Sequence, residues 1–162
     1  MTSLINFQES NLNNTIPAQR LERGIRVSAG EFSLVLACCN SLQRQQQILN
    51  LLKESLSTDI QEITLSPETQ TLYTTIENVL GDSQPETLMI RGLESVEEIN
   101  QLIISTNVMR DEFRKNFHFP IVLWINDEIL SKLVWLAPDL KNWAASTIRF
   151  EVPLIEQRPL SA

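Results

Sequence analysis

The chain is short of the residues that most chemistry needs. One histidine, His118, and two cysteines, Cys38 and Cys39, are all that 162 residues hold of these types. No pair of cysteine or histidine ligands stands at finger-like spacing with a second pair elsewhere, so no zinc or other metal site is expected. Basic side chains are few as well. Thirteen Lys and Arg against 20 Asp and Glu leave a net charge of −7. A nucleic-acid groove or an anionic membrane face needs clustered Lys and Arg, so no nucleic acid and no membrane are expected as main partners. No apolar run approaches the length of a membrane span. The opening "MTSLINFQES" has neither the basic start nor the apolar stretch of a signal peptide. Neighbouring residues on a strand point to opposite faces, so the adjacent cysteines are poorly placed to bond each other. A reduced, cytoplasmic setting follows as the expectation.

What is present suits one globular domain. An apolar fraction of 43% and a charged fraction of 20% are ordinary, and the length is enough to bury a core without disulfides or metal. Residues 2–16 read as a loose arm, and "PAQRLERGIRVSAG" from Pro17 reads as a short helix interrupted at Gly24. The expected division is an N-terminal arm and short helix over 1–30, an α/β domain over 31–153, and a tail or linker over 154–162.

From Phe32 a regular alternation begins. "FSLVLACC" is a nearly unbroken apolar strand, the pattern of a strand covered on both faces. Asn40, with Gln43 three residues later, predicts a capped helix, with Leu42, Ile48, Leu49, Leu52 and Leu56 on its apolar side. "IQEITL" alternates like a half-buried strand, and Ser66-Pro67 predicts the start of a helix that runs to about Leu80. "TLMIRGL" is the third strand, and Ser95 to Glu98 predicts a capping box for a helix reaching Phe113. "PIVLWI" from Pro120 is the fourth strand, with proline at its allowed first position. Asn126-Asp127 caps a helix to about Ala137, and "TIRFEV" from Thr147 is the fifth strand. Strands separated by helices predict an α/β fold of three layers, a five-stranded parallel sheet with helices on both faces. In such sheets ligands sit beyond the carboxyl ends of the strands. The loops that matter are therefore Asn40-Ser41, Ser66, Gly92 to Ser95, and Asn126-Asp127.

Those loops are poor in catalytic equipment. A phosphate cradle needs glycines that let backbone N–H groups wrap the anion, and a lysine to balance its charge. Between Cys38 and Ile48 there is neither. The nearest cation is Arg44, one turn into the helix, so a capped strand-to-helix turn is the expectation. A magnesium-dependent NTPase needs one or two acids at the end of the third strand. Arg91 and Gly92 stand there, and Glu94 is the only acid, suited to the N-terminus of the next helix. Asn126 could sense a phosphate, but its position as a helix cap already explains it. Cys38 and Cys39 lie in an apolar run, where thiols are inert packing. Trp135 interrupts the apolar side of its helix and is expected at the helix edge, where an aromatic can anchor a partner. The "QRQQQ" run, Gln43 to Gln47, is expected to be a solvated face.

The order of strands and helices resembles the ATPase core of the AAA and STAND classes of P-loop proteins. More narrowly, "FSLVLACCNS" together with "FPIVLWINDEILSKLVWLAPDLKNWAASTIRFE" resembles a domain at the N-terminal side of large bacterial proteins, chiefly cyanobacterial, that carry tetratricopeptide or WD repeats. The likeness covers about Gly30 to Glu151. It implies that "LVLACCNS" stands at the phosphate loop, "LMIRGLE" at the magnesium-binding acids and "VLWINDE" at the γ-phosphate-sensing strand. The Gly-Lys-Ser/Thr of the loop and the paired acids are missing, which makes these degenerate Walker motifs. The repeats are missing too, so an isolated or excised domain is expected.

The expected function is a non-hydrolysing NTPase-like module for protein–protein interaction in a regulatory or signalling scaffold. It has no catalytic residues and no cofactor. A protein partner is expected, with self-association into a homo-oligomer as one form. Two alternatives stand beside it. One is a nucleotide-binding domain with a non-standard phosphate loop, held by Asn40, Ser41, Arg44, Glu94 and Asn126. The other is a small cysteine hydrolase using Cys39 and His118. A flavodoxin-like or receiver-like sheet is the main alternative fold, disfavoured because a receiver needs an acidic pair where Cys38-Cys39-Asn40 ends the first strand.

Overall fold

The computed structural model describes residues 15–56 and 58–151. The elements are α1 (Thr15–Val27), β1 (Ser33–Cys39), α2 (Leu42–Ser55), β2 (Ile60–Thr64), α3 (Leu72–Leu80), β3 (Thr87–Arg91), α4 (Ile99–Val108), α5 (Arg110–Asn116), β4 (Pro120–Ile125), α6 (Asp127–Leu136), α7 (Pro138–Trp143) and β5 (Ala144–Phe150). The five strands form one sheet in the order β2-β3-β4-β1-β5, and every pairing is parallel. The α/β sheet expected from the sequence is present.

Its alternating side chains divide between two cores. Leu34, Leu36 and Cys38 of β1, with Ile121, Leu123 and Ile125 of β4, pack under α3, α4, α5, α6 and α7. Val35, Ala37 and Cys39, with Val122 and Trp124, pack under α1 and α2. Burial on both faces is why β1 and β4 are apolar throughout. The split follows from right-handed crossovers. The β1-to-β2 connection runs one way across the sheet, whereas β2-to-β3, β3-to-β4 and β4-to-β5 run the other.

Several boundaries differ from the sequence-based expectation. α1 runs through Gly24 without a break and sets Ala18, Leu21 and Ile25 into the second core; burial of that face outweighs the helix cost of one glycine. The arm expected over residues 2–16 lies outside the described residues up to position 14, as does the tail over 154–162. Ser66-Pro67 opens no helix. The Ser66 N–H donates to Thr69 Oγ1 at 3.0 Å and the Thr69 N–H to the Ser66 carbonyl at 3.1 Å, closing a turn. α3 then waits for Leu72, where its buried row Leu72, Tyr73, Ile76, Leu80 begins. The capping box at Ser95 is also replaced. A 3-10 turn spans Leu93–Ser95, and the Glu97 N–H goes to the Pro67 carbonyl at 3.0 Å, so α4 starts at Ile99. The helix expected to reach Phe113 divides at Met109, and α5 sets Phe113 edge-on to Tyr73 and Phe117, with ring centroids 5.4 and 5.6 Å away.

Gly92 is the one glycine that the packing demands. Its φ is +91°, and a Cβ there would stand 2.9 Å from the Leu65 carbonyl oxygen. The turn after β3 is thereby pressed against the end of β2, and the Leu65 N–H donates to the Arg91 carbonyl at 2.8 Å.

Candidate site at the carboxyl edge

β4, β1 and β5 are neighbours, with Cys38 opposite Ile125 on one side and Arg149 on the other. The loops leaving β1 and β4 therefore meet above the centre of the sheet. Asn40 and Asp127 join there by two hydrogen bonds. Asn40 Nδ2 donates to Asp127 Oδ2 at 2.9 Å, and the Asp127 N–H donates to Asn40 Oδ1 at 2.9 Å. Arg149 Nη1 reaches over from β5 to Asp127 Oδ1 at 2.6 Å, and Cys38 Sγ donates to the same oxygen at 3.3 Å. Asp127 is thus the hub of a clasp lying across the ends of three strands.

The electrostatics follow from these contacts. The Asn40 amide, then the Arg149 guanidinium and the Cys38 thiol, stabilise the ionised carboxylate and hold Asp127 below the usual carboxylate range. Burial, reinforced by the hydrogen bond to Asp127 and its charge, pushes the Cys38 thiol up to about 12. A thiolate is therefore scarce at neutral pH, as in an inert packing cysteine. Both cysteines are buried. His118 lies at the other end of the sheet, because it precedes Pro120, which pairs with Ser33 at the start of β1. Cys39 stands six residues further along β1 than that level, roughly 20 Å. The hydrolase alternative fails on that separation.

The five residues named for nucleotide binding are placed as follows. Asn40 is in the clasp. Ser41, not Asn40, caps α2: its Oγ accepts the Arg44 N–H at 3.1 Å. The cap moves one residue because Asn40 is drawn to Asp127. Arg44 is only 5% exposed, and its Nη1 donates to Gln47 Oε1 at 2.8 Å. Asn126 caps α6, its Oδ1 accepting the Ile129 N–H at 2.8 Å. Glu94 stands exposed in the turn after β3.

At the end of β3, Arg91 turns to the α2 side of the sheet. Its Nε donates to Gln45 Oε1 and its Nη1 to Gln46 Oε1, both at 2.6 Å, with Glu62 Oε1 at 3.9 Å. Lys53 pairs with the same glutamate. The glutamine run is therefore not a plain solvated face: Gln45 is 2% exposed and holds the arginine. Sequence reasoning missed Gln45, Arg149 and the part played by Cys38. Arg149 carried a faint signal, a charge within an otherwise strand-like run, but its partner depends on β5 lying beside β1. Among the described residues, no group of three or more His, Cys, Asp or Glu is placed to hold a metal ion. Nor is any described helix long and apolar enough to cross a membrane.

No protein-family model and no curated protein matches the chain. Solved structures do. The P216G mutant of Thermotoga maritima RuvB aligns at 14% identity with a TM-score of 0.55, over 93% of this chain and 49% of that one. A structure described as the Thermotoga maritima RuvB Holliday junction branch migration motor aligns at 11% identity with a TM-score of 0.50, over 86% of this chain and 44% of that one. The Aeropyrum pernix ORC1 protein in complex with DNA aligns at 12% identity with a TM-score of 0.49, over 93% of this chain and 48% of that one. Together with the strand order, the RuvB likenesses define the fold as that of a P-loop NTPase. The chain spans less than half the length of these structures.

Proposed function

We propose that this domain is a non-hydrolysing P-loop-NTPase-like module that acts by binding another protein, as part of a regulatory or signalling scaffold. One observation carries the reading: the place where this fold would seat a triphosphate is bridged by the chain's own Asn40–Asp127–Arg149 clasp. A second contact agrees with it. Arg91, at the strand end where acids would hold magnesium, is a cation tied to Gln45 and Gln46. A positive charge there repels the metal that phosphoryl transfer requires.

Protein binding draws support from an exposed apolar row on α4 and α6. Ile104 and Val108 of α4 are 38% and 73% exposed, and Val134 and Trp135 of α6 are 49% and 81% exposed. The Lys132–Asn100 hydrogen bond ties α6 to α4, and the Asn107 side chain at the end of α4 accepts the Leu140 N–H of α7. A tryptophan left in water beside aliphatic neighbours is a usual anchor for a partner. The net charge of −7 argues against nucleic acid as that partner.

Titration calorimetry with ATP, ADP and GTP, with and without magnesium, tests the core of the proposal. No binding at micromolar concentration and no phosphate release are expected. A micromolar Kd would transfer the reading to the nucleotide-binding alternative, with Asn40, Ser41, Arg44, Glu94 and Asn126 as the residues to mutate. Sedimentation of the wild type and Trp135→Glu tests the homo-oligomer form of the partner.

A further inference from the structure

The exposed apolar residues of α4 and α6 sit within a charge pattern that identifies what covers them. The two helices follow β3 and β4, so both leave the carboxyl edge of the sheet and run back to the amino edge in the same direction. Asn100 Oδ1 accepts from Lys132 Nζ at 2.9 Å, which fixes them at a common level. Ile104 stands one turn beyond Asn100, and Trp135 one turn beyond Lys132, so these two side chains share the next level. Val108 follows a turn later on α4. All three are exposed.

Charge is divided between the two ends of this face. At the carboxyl edge stand Glu94, Glu97 and Glu98 ahead of α4 and Glu128 in the first turn of α6, all exposed. None of them is in an ion pair among the described residues. At the amino edge, α5 carries Arg110, Arg114 and Lys115 and α7 carries Lys141, against Asp111, Glu112 and Asp139. Phe113 and Leu140 seat these two helices on the same core as α4 and α6. Arg110 is paired with Asp139 at 3.5 Å and Arg114 with Asp111 at 3.3 Å, and Glu112 accepts from Asn116 Nδ2 at 3.3 Å. Lys115 and Lys141 are in no ion pair among the described residues. One end of the face is thus acidic, and the other holds the spare cations. A second copy turned about a two-fold axis through Ile104 and Trp135 lays its helices antiparallel to these. Its lysine end then covers the glutamate end, and the reverse, while the apolar centres meet. Antiparallel helix dipoles act in the same sense, whereas parallel stacking would set acid on acid. A contact of this kind is isologous and closes at two copies.

We propose that a second copy of this chain is the partner at this face, in a two-fold dimer with Trp135 at its centre and Glu97, Glu98 and Glu128 opposite Lys115 and Lys141. The dimer rests on the protein-binding part of the function proposed above. Sedimentation equilibrium of the full chain, from about 5 to about 500 µM, is expected to show a dimer with a Kd on the order of 10 µM, as suits a small interface. Trp135→Glu is expected to weaken it by roughly tenfold or more. Two charge variants test the antiparallel arrangement: Glu97→Lys with Glu98→Lys, and Lys115→Glu with Lys141→Glu. Each alone sets like charge on like charge and is expected to sediment as a monomer. Their equimolar mixture is expected to form the dimer again, and urea midpoints check that each variant is folded. A wild type that stays monomeric to about 500 µM overturns the second copy and leaves the non-hydrolysing reading standing. Nucleotide binding in the calorimeter would strike that reading while the dimer stands. A dimer that Trp135→Glu leaves intact overturns the proposal, as does a mixture that associates no more tightly than either charge variant alone.

Discussion

At the carboxyl edge of the sheet, Asn40, Asp127, Arg149 and Cys38 direct their polar atoms at one another. At the amino edge, the Thr87 hydroxyl is buried with no such partner among the described residues, beside a cleft of about 330 Å3. A parallel sheet ordinarily shows the reverse, with its ligand beyond the carboxyl ends. The difference teaches that a scaffold can keep its topology while side chains decide which edge stays open. Topology is fixed by burial along β1 and β4, whereas the clasp depends on a few polar residues beyond the strand ends.

The comparison can be broken most severely at Gly92. Gly92→Ala would place a Cβ 2.9 Å from the Leu65 carbonyl oxygen at a φ of +91°. A loss of about 3 kcal/mol is expected in urea unfolding, because the carboxyl ends of β2 and β3 must part. An unchanged midpoint would show that this edge is softer than its packing implies. Asn40→Ala removes both bonds to Asp127 and is expected to cost about 1–2 kcal/mol. A double-mutant cycle with Asp127→Ala should then show coupling near that size; additive losses would mean that the clasp holds nothing.

Thr87→Val should act in the opposite direction. Removing an unpaired buried hydroxyl while keeping the volume is expected to raise stability by about 1 kcal/mol, read from the same unfolding curves. A loss instead would reveal a bond that the hydroxyl makes in solution. The smallest expected effect is that of acid on Asp127. Its folded pKa is lowered, so its contribution is present above the unfolded value, near 4, and is lost as pH falls through the folded one. The pair with Arg149 is more than half exposed on both sides, so solvent screens it and the effect should stay below about 1 kcal/mol. Comparing wild type with Asp127→Asn between pH 5 and pH 2 isolates it. At the alkaline end the sign is set by Cys38. The thiol is raised from 9.0 to about 12, so the unfolded chain loses this proton first and stability should fall as pH rises above 9.

Legibility differed between the strands and the loops. "PIVLWI" is observed with the expected bounds, Pro120–Ile125, and "FSLVLACC" loses only Phe32 from its strand. Runs buried on both faces admit few other readings. The helix starts were less legible. Ser66 and Ser95 carry capping chemistry, but Thr69 Oγ1 takes the Ser66 N–H and the Pro67 carbonyl takes the Glu97 N–H. Capping at Asn126 was legible because nothing distant competes for its side chain. At Asn40 Asp127 does compete, and the cap passed to Ser41.

The sequence by itself determined an α/β sheet of five strands and the absence of a glycine- and lysine-bearing phosphate loop, because apolar period and missing residue types are local properties. Only the tertiary structure decided that β1 lies between β4 and β5. That placement sets Asp127 between Asn40 and Arg149, residues 87 and 22 positions away along the chain. It likewise decided that Gln45 holds Arg91 and that His118 stands at the far end of the sheet from Cys39. Contacts of that kind follow from strand order, which is settled by the packing of all the crossovers together and leaves no mark in any one stretch of sequence.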